Sequence, residues 1–403
     1  MNWAKKTFKD SLWKFYTADF LSSLVFSIAV LVPFYTEWGH LTLAQVQIIQ
    51  AWFMFWAFIM EVPTGVVADY FGRKYSVALG AALIAVTSLV YGSIPRFEIF
   101  LLCEFLLAIA YALVSGANEA LLYDTLKEQG KEEESKKIFG KVSAVSTVGV
   151  IIGPIFGSLI AAKFGLNVPM LVTAIPLTLA AIIIWTIKEP VIKNKTTGVK
   201  NYFEIAKTGV SFFYHHRHLK ILAIDSLIIV MAAYFLVWLY QPLLQNIGIP
   251  IFYFGFIRAS MSLNQILISS NFEFLEKIFG SAHAFLKMSA LLIGVLFLVV
   301  AIFPNLITVL LFVVIGGGLS VSRSTLISTY MNKHIPSEQR ATILSSIAML
   351  SRVTLAITGP LIGIMADYSL RGTIFIVGLL PLAVFLFSPL KKEVLEKQME
   401  IIQ

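Results

Sequence analysis

Twelve apolar runs, each about the length a bilayer demands, leave this chain of 403 residues few ways to fold. They cover 16–36, 43–66, 76–94, 98–123, 140–162, 168–187, 220–244, 250–270, 283–303, 306–330, 342–366 and 372–390. A helix needs about 20 residues to cross the hydrocarbon core. In hydrocarbon every backbone amide must find its partner within the segment, so uninterrupted runs of this length read as helices. A water-soluble core is excluded: 58% of the residues are hydrophobic and 13% charged, against roughly 45–50% and 25% in soluble domains. The expected fold is an all-α membrane protein with twelve transmembrane helices, which puts both termini on one side.

The net charge of +8 does not form one patch interleaved with aromatics, which argues against nucleic acid. The basic residues fall between the apolar runs. One side collects Lys5, Lys6, Lys9, Lys14, Arg73, Lys74, the 127–141 loop, the 188–220 segment, Lys277, Lys333, Arg340 and the tail lysines Lys391, Lys392 and Lys397; the other holds Arg96, Lys163 and Arg371. The positive-inside rule makes the first side cytoplasmic, termini included, in the cytoplasmic (inner) membrane. Residues 1–15, with Trp3, Phe8, Leu12 and Trp13 among lysines, have the look of an interfacial helix ahead of a retained first span. Cys103 stands alone, so neither a disulfide within the chain nor a cysteine metal cluster is expected.

The longest polar stretch, 188–219, divides the chain into a six-helix half at 1–187 and another at 220–403. It contains His215, His216 and His218, which read as a solvated basic flank before a helix more readily than as a metal site. The halves repeat one another. Gly153-Pro154-Ile155-Phe156-Gly157 recurs as Gly359-Pro360-Leu361-Ile362-Gly363, an offset of 359 − 153 = 206, and the same offset carries Asp19 onto Asp225. Duplicated six-helix halves are the build of a rocking secondary transporter with its substrate near the midplane.

Between the second and third runs lies Gly65-Val66-Val67-Ala68-Asp69-Tyr70-Phe71-Gly72-Arg73-Lys74. This resembles the signature loop of the major facilitator superfamily: glycine and acid, then glycine and two basic residues. The resemblance implies a latch in which Asp69 meets the start of helix eleven, Arg73 pairs with Asp124, and the cytoplasmic side is held shut. In the second half the equivalent segment, Glu273 to Gly280, has lost the spacing. Helix five carries Gly140, Gly149, Gly153, Pro154 and Gly157, small residues that let another helix approach closely around a bend. That pattern is similar to the motif of antiporters in the superfamily, drug exporters especially. Phe105 to Ala112 lacks the basic residue and glycine usual in proton-linked exporters, and the sugar-porter signature is absent.

An ionisable group deep in a span costs on the order of 2.5–3.5 kcal/mol on insertion scales, so each is a candidate for function. The candidates for coupling or substrate are Asp19, Glu61, Glu104, Glu119, Asp225, Arg323 and Arg352. Asp19 and Asp225 suggest gating or helix-end electrostatics on pseudo-symmetric helices. Glu61 shares a polar face of helix two with Gln47, Gln50 and Met54. Since 323 − 206 = 117, Arg323 falls two residues from Glu119 in register. Glu119 with Arg323 and Arg352 therefore suggests an ion pair between halves or a site for an anionic substrate; the arginines could instead be satisfied by nearby carbonyls. Glu104 is the carboxylate nearest the external half and, with Glu61, a candidate proton carrier. Trp52, Trp56, Trp238 and Tyr240 could line a cavity or form interfacial belts.

No phosphate-binding loop, zinc-protease helix or nucleophile elbow occurs, so no enzymatic or ATP-driven activity and no cofactor or metal is expected. The sequence reads as a secondary transporter working by alternating access, with proton-linked efflux of an amphipathic or aromatic compound favoured over exchange of an anionic metabolite, and over a non-transporting receptor. Its expected partners are a small-molecule substrate, protons and membrane lipids. One chain already contains both halves, so a monomer suffices.

Overall fold

The structure, a computed structural model, describes residues 2–190, 216–335, 340–390 and 395. Among them are twelve helical spans: α1 (Leu12–Trp38), α2 (Leu43–Glu61), α3 (Arg73–Ser93), α4 (Phe97–Glu128), α5 (Glu132–Phe164), α6 (Val168–Trp185), α7 (Leu219–Asn246), α8 (Ile251–Ser270), α9 (Ala282–Ile302), α10 (Leu306–Lys333), α11 (Ile343–Tyr368) and α12 (Leu370–Phe387). The helix of α2 continues to Phe71. The described residues contain no strand. Side-chain caps start several spans, as where Thr42 and Gln45 form a reciprocal capping box at the head of α2.

The chain divides into two compact units, Met1–Val199 with Ile251–Phe256, and Lys200–Pro250 with Ile257–Gln403. The short segment at the head of α8 thus belongs with unit 1, where the expected boundary at 220 would exclude it. Ser158 of α5 donates to the Phe252 carbonyl at 3.0 Å, and Ile251 packs on Ala29, Val30 and Ala161.

In unit 1, α3 lies along α6 through small side chains, with Ala78, Ala81 and Ala181 in one buried cluster and Ala85, Ala174 and Leu177 in another. Dispersion contacts between closely approaching backbones do the work that water exclusion does in soluble cores. α5 packs on α1 where α1 is broken. The helix Asn2–Ser23 ends, and a short 3-10 turn, Ser27–Val30, resumes the span. A Cβ on Gly149 would lie 2.8 Å from Ser23 Cβ, and one on Gly153 would lie 3.1 Å from the Val25 nitrogen. Only bare backbone allows that approach. Gly140, expected to share this packing, stands clear of it: a Cβ there would meet nothing within 4 Å, although its neighbours Ile138, Phe139 and Val142 pack in a cluster with Leu12 and Phe15 of α1.

In unit 2, α9 and α12 cross with comparable intimacy: a Cβ on Gly294 would stand 2.6 Å from Leu382 Cγ, and one on Gly378 would stand 2.5 Å from Phe297 Cβ. Phe297 meets Phe312 edge to face at 4.7 Å between centroids. α7 belongs to one continuous helix, Arg217–Asn246.

Candidate functional site

Unit 1 encloses a cavity of about 400 Å³. Its lining is mostly apolar, and its polar groups include Asp19, Tyr35, Gln50, Tyr91, Glu104 and Asn118. No Lys, Arg or His lines it among the described residues. Two of the walls are interrupted helices. α1 breaks between Ser23 and Ser27, where Thr173 of α6 supplies the missing acceptor to the Phe26 amide at 3.1 Å. α4 turns at Ser115 and Gly116, the glycine at φ 69°, and restarts as the helix Ala117–Glu128. Irregular backbone at membrane depth is tolerated where protein or a cavity satisfies it.

Near one end of the cavity Asn118 donates through Nδ2 to Asp19 Oδ1 at 3.0 Å. At the other, Glu104 is 6% exposed and gathers three partners onto Oε1. Tyr91 donates at 2.9 Å, Tyr35 at 3.2 Å and Gln50 Nε2 at 3.4 Å. The two phenol oxygens are also 2.6 Å apart. Tyr35, Tyr91 and the carboxylate oxygen therefore make three mutual contacts with two hydroxyl protons between them. A third proton on Glu104 would fill the remaining contact, so the cluster is built to accept either charge state. Sequence reasoning found Asp19, Gln50 and Glu104 but missed Tyr35, Tyr91 and Asn118; nothing marks those two tyrosines among 14 in the chain.

The signature loop forms an ordered corner. Arg73 makes an ion pair with Asp124 and donates through Nη1 to the Ala120 carbonyl at 3.0 Å. Gly72, at φ 111°, turns the chain into α3. Glu189, just past α6, was not anticipated: its carboxylate accepts from the backbone amides of Arg73 at 2.7 Å and Lys74 at 2.9 Å. That caps the positive end of α3 with an anion. A Cβ on Gly72 would stand 2.8 Å from Glu189 Oε1, so the glycine serves both the turn and the cap. Lys188 extends the corner to Glu128 at 2.9 Å. Asp69 is exposed, and Gly65 has open space around it.

Unit 2 gives two candidates another role. Asp225 and Arg323, each with a side chain 1% exposed, form a buried ion pair at 2.6 Å. Ser388 donates to the other Asp225 oxygen at 3.1 Å. Arg323 also donates to Ser289 at 2.7 Å and to the Leu286 carbonyl. This ties α7, α9 and α10 to the residue that follows α12. Arg323 thus makes an ion pair with Asp225 and a carbonyl contact within its own unit, the carbonyl contact being one of the alternatives held open beside a pair with Glu119 or an anionic-substrate site. Asp225, a candidate for gating or for helix-end electrostatics, is one half of that buried ion pair. Glu119 is exposed in the first turn after the break in α4, and Arg352 is exposed on α11. Glu61 is half-buried on α2 and does not line the cavity. Trp238 and Tyr240 are buried in unit 2, and Trp52 donates to the Leu101 carbonyl at 3.0 Å. The histidine run begins outside the described residues, and no group of three His, Cys, Asp or Glu suited to a metal occurs among those that are described.

A sequence profile described as Major Facilitator Superfamily matches residues 15–359. The chain belongs to the Major Facilitator Superfamily. As a major facilitator it is a multi-pass membrane transporter and not an enzyme. It is 22% identical over 347 residues, 84% of this chain and 86% of the other, to an uncharacterized MFS-type transporter of Methanocaldococcus jannaschii. It is 30% identical over 165 residues, 40% of each chain, to Multidrug resistance protein 2 of Bacillus subtilis. The fold is similar to that of the nucleoside transporter NupG, with a TM-score of 0.75 at 14% identity, covering 93% of this chain and 98% of that one. A bacterial homologue of the human lysosomal transporter Spinster gives 0.74 at 15% identity, covering 94% and 95%.

Proposed function

We propose that this major facilitator exports an amphipathic or aromatic compound across the cytoplasmic membrane in exchange for protons, working as a monomer with both termini in the cytoplasm. The observation that carries the reading is Glu104. It is a buried carboxylate on a cavity wall whose hydroxyl and amide partners can serve it charged or neutral. Protonation would remove a charge from the cavity and permit the substrate-free return of the cycle. The mostly apolar lining suits a compound with a hydrophobic body. The partial match to a multidrug resistance protein of Bacillus subtilis supports the same direction. On this reading Gly65, Asp69, Gly72, Arg73, Lys74 and Asp124 form the cytoplasmic latch.

The test is ethidium movement into proteoliposomes across an imposed pH step. The native chain should move the dye in response to the step, and Glu104→Gln should abolish the response while leaving dye binding within about twofold. Gradient-driven movement that survives Glu104→Gln would overturn the coupling role. Of the two arginines behind the alternative, exchange of an anionic metabolite, Arg323 is engaged by Asp225, Ser289 and the Leu286 carbonyl, and the case rests on Arg352.

A further inference from the structure

The two halves repeat an aspartate but not its partner. Asp19 and Asp225 are related by 206 positions, and so are Ala117, next to Asn118, and Arg323. In unit 2 the aspartate faces a guanidinium at 2.6 Å. In unit 1 it faces only the Asn118 amide at 3.0 Å, and no described Lys or Arg comes within ion-pair distance. The backbone departs from the repeat at the same place. Positions equivalent to the α1 break, 230–232, run through the continuous helix Arg217–Asn246. The equivalent of the Ser115-Gly116 turn, 321–322, runs through the helix Gly318–Lys333. Both departures border the unit 1 cavity.

Removing a carboxylate from water has to be offset by a cation or by several hydrogen bonds. Unit 2 meets that requirement permanently with Arg323. Unit 1 meets it with one amide hydrogen bond and an open cavity. We propose that Asp19 is the charge-recognition residue for a small organic monocation, whose positive group seats against Asp19 beside Asn118 and whose hydrocarbon body fills the apolar cavity of unit 1. The site is missing from unit 2 because Arg323, one position before the equivalent of Asn118, already pairs with Asp225 there. An inorganic ion fits poorly, since it requires a shell of several oxygens and most of this lining is apolar. Asp19 and Glu104 have separate tasks. The ten residues of continuous helix from Glu104 to Val114 alone span roughly 15 Å at 1.5 Å per residue, and Asn118 lies beyond them, too far for one small cation to engage both acids. This inference rests on the transporter reading and specifies its substrate class.

Benzyltrimethylammonium, which has no titratable proton, and phenylmethanesulfonate, with the same ring and the opposite charge, provide the test by equilibrium binding to the purified full chain in detergent. The native protein should favour the cation at least tenfold. Asp19→Asn should weaken cation binding at least tenfold, about 1.4 kcal/mol. Asn118→Arg, which sets a guanidinium at the position that touches Asp19, as Arg323 touches Asp225 in unit 2, should do the same while keeping the unliganded melting temperature at or above that of the native chain. Equal binding of sulfonate, displacement of the cation by millimolar sodium chloride, or unchanged binding in Asp19→Asn would each overturn the proposal. The charge preference of the native protein decides even where a variant folds poorly. Cation binding as expected without a pH-driven flux of ethidium would leave this site standing and remove the proton-linked reading instead.

Discussion

At the scale of single residues, a buried charge is defined by what faces it. Asp225 and Arg323 are each inaccessible and mutually paired, so removing one strands the other in a medium that cannot solvate it. Asp225→Ala should cost on the order of 3–5 kcal/mol and lower the melting temperature in detergent. Joining it with Arg323→Met should recover much of that loss, because with both charges gone no unpaired ion is left buried. A double variant as unstable as the single one would show that packing rather than charge dominates. Asp19→Asn, by contrast, should leave the unliganded melting temperature nearly unchanged, since the Asn118 contact survives as an amide–amide hydrogen bond. The pair of measurements separates a structural aspartate from a functional one at positions that the repeat makes equivalent.

At the scale of elements, helix ends and crossings set where the cavity opens. The α5 glycines lie against the broken stretch of α1, and a Cβ on Gly153 would already stand 3.1 Å from the Val25 nitrogen, so Gly153→Leu drives a side chain against backbone. The expected loss is about 1–3 kcal/mol by overpacking, read as a fall in melting temperature. Gly140→Leu, with open space around the glycine, should show none. At the head of α3, Glu189 holds two amides that have no intrahelical acceptor. Glu189→Gln keeps the shape and loses the charge. It should destabilise by about 0.5–2 kcal/mol, as loss of a helix cap does, and the loss should shrink at high salt. The position equivalent to Glu189 is Leu395, by the same 206 offset, and it is 2% exposed. There α9 is capped by its own Ser281, which accepts from the Ala284 amide at 3.1 Å. The two helix starts are stabilised by different means.

At the scale of the whole molecule, the Arg73–Asp124 pair and the Glu189 cap gather the ends of α3, α4 and α6 into one corner. If that corner biases the conformational equilibrium of the transporter, Asp124→Asn should change the labelling rate of an introduced cysteine in the unit 1 cavity, measured in a Cys103→Ser background. The charge-swapped double variant Arg73→Asp with Asp124→Arg should restore it at least in part. No change in either variant would reduce the pair to a fixer of local structure. The repeated halves matter at this scale too. The offset of 206 gives both halves an aspartate, and only the one at Asp225 faces a guanidinium.

The number of spans, their helical character and the membership of the superfamily were all legible in the amino-acid order, because hydrophobic length and the repetition of glycine, proline and aspartate are local properties that need no tertiary contact to be read. The Arg73–Asp124 contact was legible only through the signature loop. The partners of the buried charges were not. Arg323 reaches Asp225 across 98 positions of chain and Asn118 reaches Asp19 across 99. An offset in register brings such residues onto corresponding helices but does not say whether they point at each other. The Tyr35–Tyr91–Glu104 cluster and the Glu189 cap lay beyond reach for the same reason: a hydroxyl or carboxylate becomes significant when packing removes every other partner. Sequence settled which segments enter the membrane, and only the folded arrangement decided which charges were neutralised there and which remained exposed to the cavity.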